Sequence, residues 1–222
     1  MRLKRLKRDI VDIIKNPLNK EGIYYIHDEI NILNGYALIC GPKDTPYEYG
    51  YYLFHIKFPS DYPASPPTVV FCNQDRKFNT RFNPNLYRNG KVCLSILNTW
   101  KGEGWTSCIT LRTILITLSS ILNDTPLTNE PGIDKTHNCV KPYNTIINYR
   151  NIGANILDII SDINSDKYKD SFLVDFYPFK SVIIDLFKEN YKQIEINIES
   201  VKETESDIIN IRVYNMSCII NY

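Results

Sequence analysis

Apolar residues recur every three or four positions near the start of the chain, with basic side chains between them. The apolar residues are Leu3, Leu6, Ile10, Ile13 and Ile14. This spacing predicts an amphipathic helix over residues 3–15. Asn16-Pro17 predicts its end, because a residue that precedes proline disfavours the helical backbone conformation.

Short apolar runs then alternate with turn-forming residues. The runs cover residues 30–33, 36–40, 51–58 and 68–72, and the breaks contain Asn34-Gly35, Gly41-Pro42 and five further prolines. Successive short strands that are joined by short turns predict an antiparallel meander.

Residues 73–110 show little regular pattern, and a long irregular segment inside a compact domain is often functional. Helical spacing returns after this segment, in Leu111, Ile114, Leu115, Leu118, Ile121 and Leu122. It predicts a well-buried helix that crosses the sheet. Pro126 and Pro131 predict that this helix has ended before them.

The last third of the chain has a helical pattern with two apolar stripes. The first includes Ile146, Ile147, Ile156, Leu157, Ile159 and Ile160, and the second includes Phe179, Val182, Ile183, Leu186, Phe187, Tyr191 and Ile194. Because burial of such large side chains is strongly favourable, we expect the second helix to pack on the domain or on a partner. Residues 208–222 are β-branched and predict a short strand.

Composition narrows the class of protein. The chain has 222 residues, of which 43% are hydrophobic, which suits one globular domain with an extension or a small second unit. Lys+Arg number 26 and Asp+Glu 25, so no basic excess indicates nucleic-acid binding. No apolar stretch reaches about 18 residues, so no membrane span is expected. Asp9, Asp12 and Lys15 interrupt the first isoleucines, so no secretory signal is predicted.

The six cysteines are scattered singly, without a C-x-x-C pair, which gives little support to a zinc site. Most are expected to be buried thiols that act as small apolar residues. The three histidines, His27, His55 and His137, lie far in sequence from the most distinctive cysteine, Cys93. No motif therefore pairs a cysteine with a histidine, although spatial proximity is left open.

Residues 83–97 (NPNLYRNGKVCLSIL) are the most informative segment. With residues 58–63 (FPSDYP), Pro66-Pro67 and Trp100, this segment resembles the ubiquitin-conjugating enzyme family. The resemblance extends over roughly residues 1–160. It is nearest to the Z-type branch, which carries a helical C-terminal extension and has the sequence found here at residues 129–132 (NEPG).

The resemblance implies an α+β fold, with an N-terminal helix, a four-stranded antiparallel meander sheet, a cross-helix and C-terminal helices. It implies a catalytic core over residues 1–160 and a helical extension over residues 161–222, packed on the core away from Cys93. The implied activity is that of an acyltransferase, which accepts ubiquitin as a thioester on Cys93 and passes it to a lysine or a ligase.

The implied partners are ubiquitin, its activating enzyme, a ubiquitin ligase and protein substrates, with no nucleic acid and no membrane. No cofactor is expected, since the upstream activating enzyme consumes the ATP, and the implied location is the cytoplasm or nucleus. Two alternatives stay open. One is a non-catalytic scaffold with the same fold, and the other is a carrier of another ubiquitin-like modifier.

Three residues are implied to be catalytic, beginning with Cys93. Asn85 is implied to support the oxyanion of the tetrahedral intermediate, although asparagine also stabilises turns by local hydrogen bonds. Glu130 is implied to assist deprotonation of the incoming lysine, with a solvated loop carboxylate as the alternative. Asn83 replaces the usual histidine of the family and Ser95 replaces a common aspartate.

Two surfaces are implied to bind partner enzymes. Lys4, Arg5 and Arg8 match the basic helix face that meets the activating enzyme, with a solvated face as the alternative. The ligase-facing loops contain Pro59, Ala64 and Ser107. Ala64 replaces a common phenylalanine, and residues 106–108 (TSC) replace Ser-Pro-Ala. Finally, Trp100 and Trp105 are expected to pack under the active-site loop.

Overall fold

The computed structural model describes residues 3–73, 75, 77–165, 168–169, 172–202 and 208–219. Part of the predicted strand over residues 208–222, namely residues 220–222, lies outside this description. Within it, no helix combines the length and apolar character that a membrane crossing requires.

The predicted N-terminal helix is confirmed as α1, Lys4–Lys15. Leu6, Ile10 and Ile13 are buried along one side of it, whereas Ile14 is 67% exposed. The Asn16 amide donates the last hydrogen bond of the helix, directly before the proline at position 17. The helix therefore ends where the sequence predicts.

Four strands follow, β1 (Ile23–His27), β2 (Asn34–Cys40), β3 (Tyr51–Lys57) and β4 (Thr68–Phe71). They pair in the order β1-β2-β3-β4, and every pair is antiparallel. The predicted α+β class with a four-stranded meander is confirmed.

The prediction of a strand over residues 30–33 is wrong, because these residues form the turn between β1 and β2. The Asp28 carboxylate accepts hydrogen bonds from the amides of Ile30 and Asn31, at 2.8 and 3.0 Å. Such local bonds stabilise a turn in place of a strand, and Ile30 is 98% exposed. Asn34-Gly35, predicted as a turn, pairs inside β2 instead.

Both faces of the sheet are buried. On β3, Tyr52 and Phe54 point into the main core with α1, while Tyr51 and Leu53 point into a second apolar cluster on the other face. A strand that is covered on both faces has a continuous apolar run rather than an alternating pattern. This explains the unbroken apolar sequence in the first half of β3.

The predicted cross-helix is confirmed as α2, Leu111–Ser120. The Thr110 side chain begins it by accepting a hydrogen bond from the Thr113 amide. Leu111, Ile114, Leu115 and Leu118 are completely buried. The helix packs on the inner face of the sheet and ends before Pro126, as expected.

A long helical run follows, made of α3 (Val140–Arg150), a π-helical segment (Asn151–Leu157) and α4 (Asp158–Asn164). Asn151 and Asn155 in the π-helical segment are completely buried. The Tyr52 hydroxyl donates to Asn151 at 2.6 Å, and Asn73 donates to Asn155 at 2.9 Å. Because buried amides need hydrogen-bond partners, these contacts fix the run against the sheet.

The extension contains a short helical stretch (Phe172–Phe179), the long helix α5 (Lys180–Lys202) and a β-hairpin. The hairpin strands are β5 (Ile208–Ile211) and β6 (Met216–Ile219), so the end of the chain forms two strands instead of one. Within the second predicted stripe, Phe179, Ile183 and Ile194 are buried in the cluster on the outer face of the sheet. The division of the chain at residue 160 stays a prediction.

Candidate active site

The loop that precedes Cys93 is organised around Asn83, which is completely buried. Its amide nitrogen donates to the Tyr47 hydroxyl and the Ile121 carbonyl, each at 2.8 Å. Its side-chain oxygen accepts from the Asn85 backbone amide at 2.9 Å. Asn83 therefore joins the loop to the β2–β3 connection and to the end of α2.

Asn85 and Cys93 lie side by side and bond to each other twice. The Cys93 amide donates to the Asn85 carbonyl at 2.8 Å, and the Asn85 side-chain nitrogen donates to the Cys93 carbonyl at 2.7 Å. Asn85 therefore stabilises the loop by local hydrogen bonds, as asparagine often does. Because a side-chain amide carries two N–H groups, the bond to Cys93 leaves one more donor for another acceptor.

Cys93 is only 2% exposed, so its thiol is buried in this conformation. The following segment folds back, and the Thr99 hydroxyl donates to the Val92 carbonyl at 2.8 Å. Gly102 approaches Ser95 so closely that a Cβ at Gly102 would lie 3.1 Å from the Ser95 Cβ. The segment that follows Cys93 is therefore folded back against residues 92–95.

Burial affects two of the other thiols, Cys40 and Cys72. Burial raises the pKa of Cys40 and of Cys72 to about 12, so both stay protonated near neutral pH and are poor nucleophiles. Cys108 is exposed, and all six cysteines are free. Among the described residues, no group of three or more His, Cys, Asp or Glu side chains could hold a metal.

The histidines have hydrogen-bond partners away from Cys93. His27 bonds to the Tyr25 hydroxyl at 2.6 Å, and His55 bonds to Asn34 at 3.3 Å. His137 accepts from a neighbouring backbone amide at 3.2 Å. These contacts give no support to a cysteine–histidine pair.

Glu130 follows the short helix Pro126–Asn129 and is bound by the C-terminal hairpin. The Tyr214 hydroxyl donates a hydrogen bond to the Glu130 carboxylate. Burial and this bond raise the pKa of Tyr214, so its phenol stays protonated and donates. The Asn129 side-chain nitrogen lies 3.5 Å from the Asn83 side-chain oxygen, which links the Glu130 segment to the loop before Cys93.

Arg81 connects the hairpin to the same loop. Its guanidinium carbon lies 3.7 Å from the Tyr87 ring centroid and 4.3 Å from the Tyr214 ring centroid. Arg81 also donates to the Pro84 carbonyl at 2.6 Å, and Arg88 donates to the Tyr214 carbonyl at 2.7 Å. Sequence reasoning missed these contacts, because no local pattern links Tyr214 to residues more than 100 positions before it.

The segments that are implied to bind partner enzymes meet at the buried carboxylate of Asp9. It accepts hydrogen bonds from Arg5 at 2.8 Å and from the Tyr62 hydroxyl at 2.5 Å. Arg5 also donates to the Ser107 carbonyl at 2.8 Å. The Arg5 guanidinium therefore holds α1 against the loop that contains Ser107, and the Asp9 carboxylate holds it against the loop that contains Tyr62.

The remaining partner-binding candidates are on the surface. Lys4, Arg8, Ala64 and Ser107 are exposed, and Pro59 is half-buried. Their roles stay predictions.

The two tryptophans differ from each other. Trp105 donates from its indole nitrogen to the Pro63 carbonyl at 2.8 Å, and its ring packs against Tyr62. The expectation that Trp100 also packs under the active-site loop is wrong, since Trp100 is 45% exposed.

Comparison with known proteins identifies related sequences. A family model described as "Ubiquitin-conjugating enzyme" matches residues 5–147. Human "Ubiquitin-conjugating enzyme E2 Z" is 41% identical over 160 residues, which are 71% of this chain and 44% of that protein. Human "Dual E2 ubiquitin-conjugating enzyme/E3 ubiquitin-protein ligase BIRC6" is 41% identical over 61% of this chain and 3% of its own length.

A solved structure, that of human ubiquitin-conjugating enzyme E2 G1, has 36% identity and a TM-score of 0.45, over 53% of this chain and 90% of its own. The chain spans between 44% and 50% of the length of the first curated relatives that it matches.

Proposed function

The chain belongs to the ubiquitin-conjugating enzyme family, and on that premise we propose that it carries ubiquitin as a thioester on Cys93. The observation that supports this proposal is the paired contact between Cys93 and Asn85, at 2.8 and 2.7 Å. It brings a neutral amide donor to the cysteine that matches the family motif. A thioester is reactive toward amines, which suits a carrier that delivers an acyl group.

The proposed reaction has two transfers at one carbonyl carbon. The Cys93 thiolate attacks the ubiquitin thioester of the activating enzyme, whose thiolate leaves. A lysine amine, or a ligase thiol, then attacks the Cys93 thioester, and the Cys93 thiolate leaves. Asn85 donates to the oxyanion that forms during attack, an effect worth ~3 kcal/mol at comparable sites. Glu130 assists removal of the proton from the attacking amine.

The proposed carrier holds no metal or nucleotide, because ATP is consumed by the activating enzyme. Lys4 and Arg8 meet that enzyme, with Arg5 holding α1 in place, and the loops with Ala64 and Ser107 meet a ligase. The proposed location is the cytoplasm or nucleus, without nucleic-acid or membrane partners.

A charging assay tests the proposal directly. The chain is mixed with activating enzyme, ubiquitin and ATP, and the products are separated on a non-reducing gel. We expect an adduct that reductant removes, that is absent in Cys93→Ala and that becomes resistant to reductant in Cys93→Ser. Cys108→Ala is the matched control, since this exposed thiol is the most accessible site for a nonspecific adduct.

Three other outcomes would change the conclusion. A normal yield of adduct on Cys93→Ala would reject Cys93 as the carrier. An adduct with a different ubiquitin-like modifier alone would favour a carrier of that modifier. No adduct with any modifier would favour a non-catalytic scaffold.

A further inference from the structure

We propose that Tyr214 is a positioning residue for Glu130, so that the C-terminal hairpin completes the site around Cys93. The proposal rests on the function proposed above and extends it to a residue outside the family match, which ends at residue 147. It starts from the hydrogen bond that the Tyr214 hydroxyl donates to the Glu130 carboxylate.

The backbone at Tyr214 is unusual for this residue type. Its φ is 59° and its ψ is 13°, and the next residue, Asn215, also has a positive φ of 48°. A left-handed conformation is strained for a residue with a Cβ, so it persists only where the surroundings hold it. Here the Arg88 side chain donates to the Tyr214 carbonyl at 2.7 Å, and the Asn215 backbone amide donates to the Arg212 carbonyl at 3.1 Å.

The hairpin that carries Tyr214 is packed into the main core of the protein. Ile211, Met216 and Cys218 are buried in the main core, at 6%, 5% and 1% exposure. These three residues flank the turn that contains Tyr214. The Tyr143 ring of α3 packs edge-on against the Tyr214 ring, with 6.3 Å between the centroids. These contacts hold the Tyr214 ring in place, so its hydroxyl has a defined position beside Glu130.

Tyr214 also connects Glu130 to the loop that carries Asn85. The Tyr214 ring contacts the Arg81 guanidinium, and Arg81 donates to the Pro84 carbonyl, one residue before Asn85. A hydrogen bond to a carboxylate is strong and directional, so it limits the orientations of the Glu130 side chain. Catalytic groups act well only when held within about 0.5 Å of their working position. Tyr214 would supply this restraint without taking part in proton transfer.

The test is the discharge of preformed ubiquitin thioester to free lysine, measured over a range of lysine concentrations. Tyr214→Phe removes only the hydroxyl. We expect it to lower the maximal discharge rate about threefold to tenfold, while the half-saturating lysine concentration and the charging rate stay unchanged. In a Glu130→Gln background, the same substitution should have no further effect, because its target carboxylate is absent.

Tyr191→Phe is the matched control, since the Tyr191 hydroxyl also contacts a glutamate, Glu195, at 3.4 Å but on α5. It should leave discharge unchanged. Arg88→Met is a second variant at an exposed residue and should lower the maximal rate by a smaller factor, because it releases only the Tyr214 carbonyl.

Each remaining outcome decides the question. Equal losses from Tyr214→Phe with and without the Glu130 carboxylate would mean that Tyr214 acts elsewhere. Faster discharge would mean that the hydroxyl restrains Glu130 from acting. Unchanged discharge of a normally formed thioester would overturn this inference alone. Failure of the unmodified chain to form a thioester on Cys93 would overturn the proposed function and this inference together.

Discussion

Helix α5 and the turn of the C-terminal hairpin contact the rest of the chain in different ways. Helix α5 uses apolar burial, since Ile183 is completely buried in the cluster that contains Leu38 and Leu53 of the sheet. The hairpin turn uses directional contacts, through which the hydroxyl, ring and carbonyl of Tyr214 bind Glu130, Arg81 and Arg88.

This difference separates stability from catalysis. The hydrophobic effect is non-directional and scales with the buried area, so α5 contributes mainly to the free energy of unfolding. A hydrogen bond or a ring contact depends on orientation, so the hairpin turn fixes the orientation of the Glu130 and Arg81 side chains. Substitutions in α5 should therefore lower stability, and substitutions around the hairpin contacts should lower the rate of discharge.

Removal of residues 166–222 should have the largest effect. It would uncover part of the outer face of the sheet, whose buried residues are Tyr36, Leu38, Tyr51 and Leu53, while the π-helical segment and α4 remain on that face. Each such side chain contributes about 1.5–3 kcal/mol when fully buried, against a typical total stability of about 5–15 kcal/mol. We expect an insoluble or unfolded product, measured by soluble yield and thermal unfolding.

Removal of residues 203–222 alone is the companion experiment. It retains α5 over the sheet but removes Ile211, Met216 and Cys218 from the main core. We therefore expect a folded protein of lower stability, with slower discharge. If the protein that lacks residues 166–222 is as stable and soluble as the full chain, then α5 does not stabilise the core. Its apolar stripe would then bind a partner protein.

Ile183→Ala should lower the free energy of unfolding by about 2–5 kcal/mol, because it leaves a cavity in the second cluster. Chemical denaturation measures the loss. Ile196→Ala on the same helix is the control, since Ile196 is 53% exposed and its loss should change stability by about 0.5 kcal/mol or less. A slower discharge in the folded Ile183→Ala protein would show that α5 affects the discharge rate as well as stability.

Asn85→Ala should slow discharge to free lysine about 10²-fold, because it removes the proposed oxyanion donor. It should slow charging less. Asn89→Ala is a control in the same loop, since Asn89 is exposed. Equal losses in charging and discharge would instead assign Asn85 to folding of the loop, through its bond to the Cys93 carbonyl.

Glu130→Ala should slow discharge about tenfold near neutral pH, with partial recovery as the pH rises. The reason is that the free-amine fraction of lysine increases toward its pKa of about 10.4, so less help with deprotonation is needed. Single-turnover rates from pH 7 upward measure the effect. Glu103→Ala, at an exposed loop carboxylate, is the control. A loss that does not vary with pH would leave Glu130 as a surface carboxylate.

Local patterns in the sequence predicted several elements well. Apolar periodicity located α1 and α2, and Asn16-Pro17 located the end of α1. These predictions succeeded because helix period and capping act over a few neighbouring residues. The same kind of local rule wrongly predicted a strand over residues 30–33. There the Asp28 side chain stabilises a turn, although the segment is apolar.

The sequence by itself therefore determined the α+β class, the meander and the segment that carries Asn85 and Cys93. Only the tertiary structure decided that Cys93 is covered, that Arg5 bonds inside the chain and that Tyr214 contacts Glu130. The physical reason is distance along the chain. Periodicity and motifs arise from neighbouring residues, whereas these contacts join residues that only the complete packing of helices and hairpin brings together.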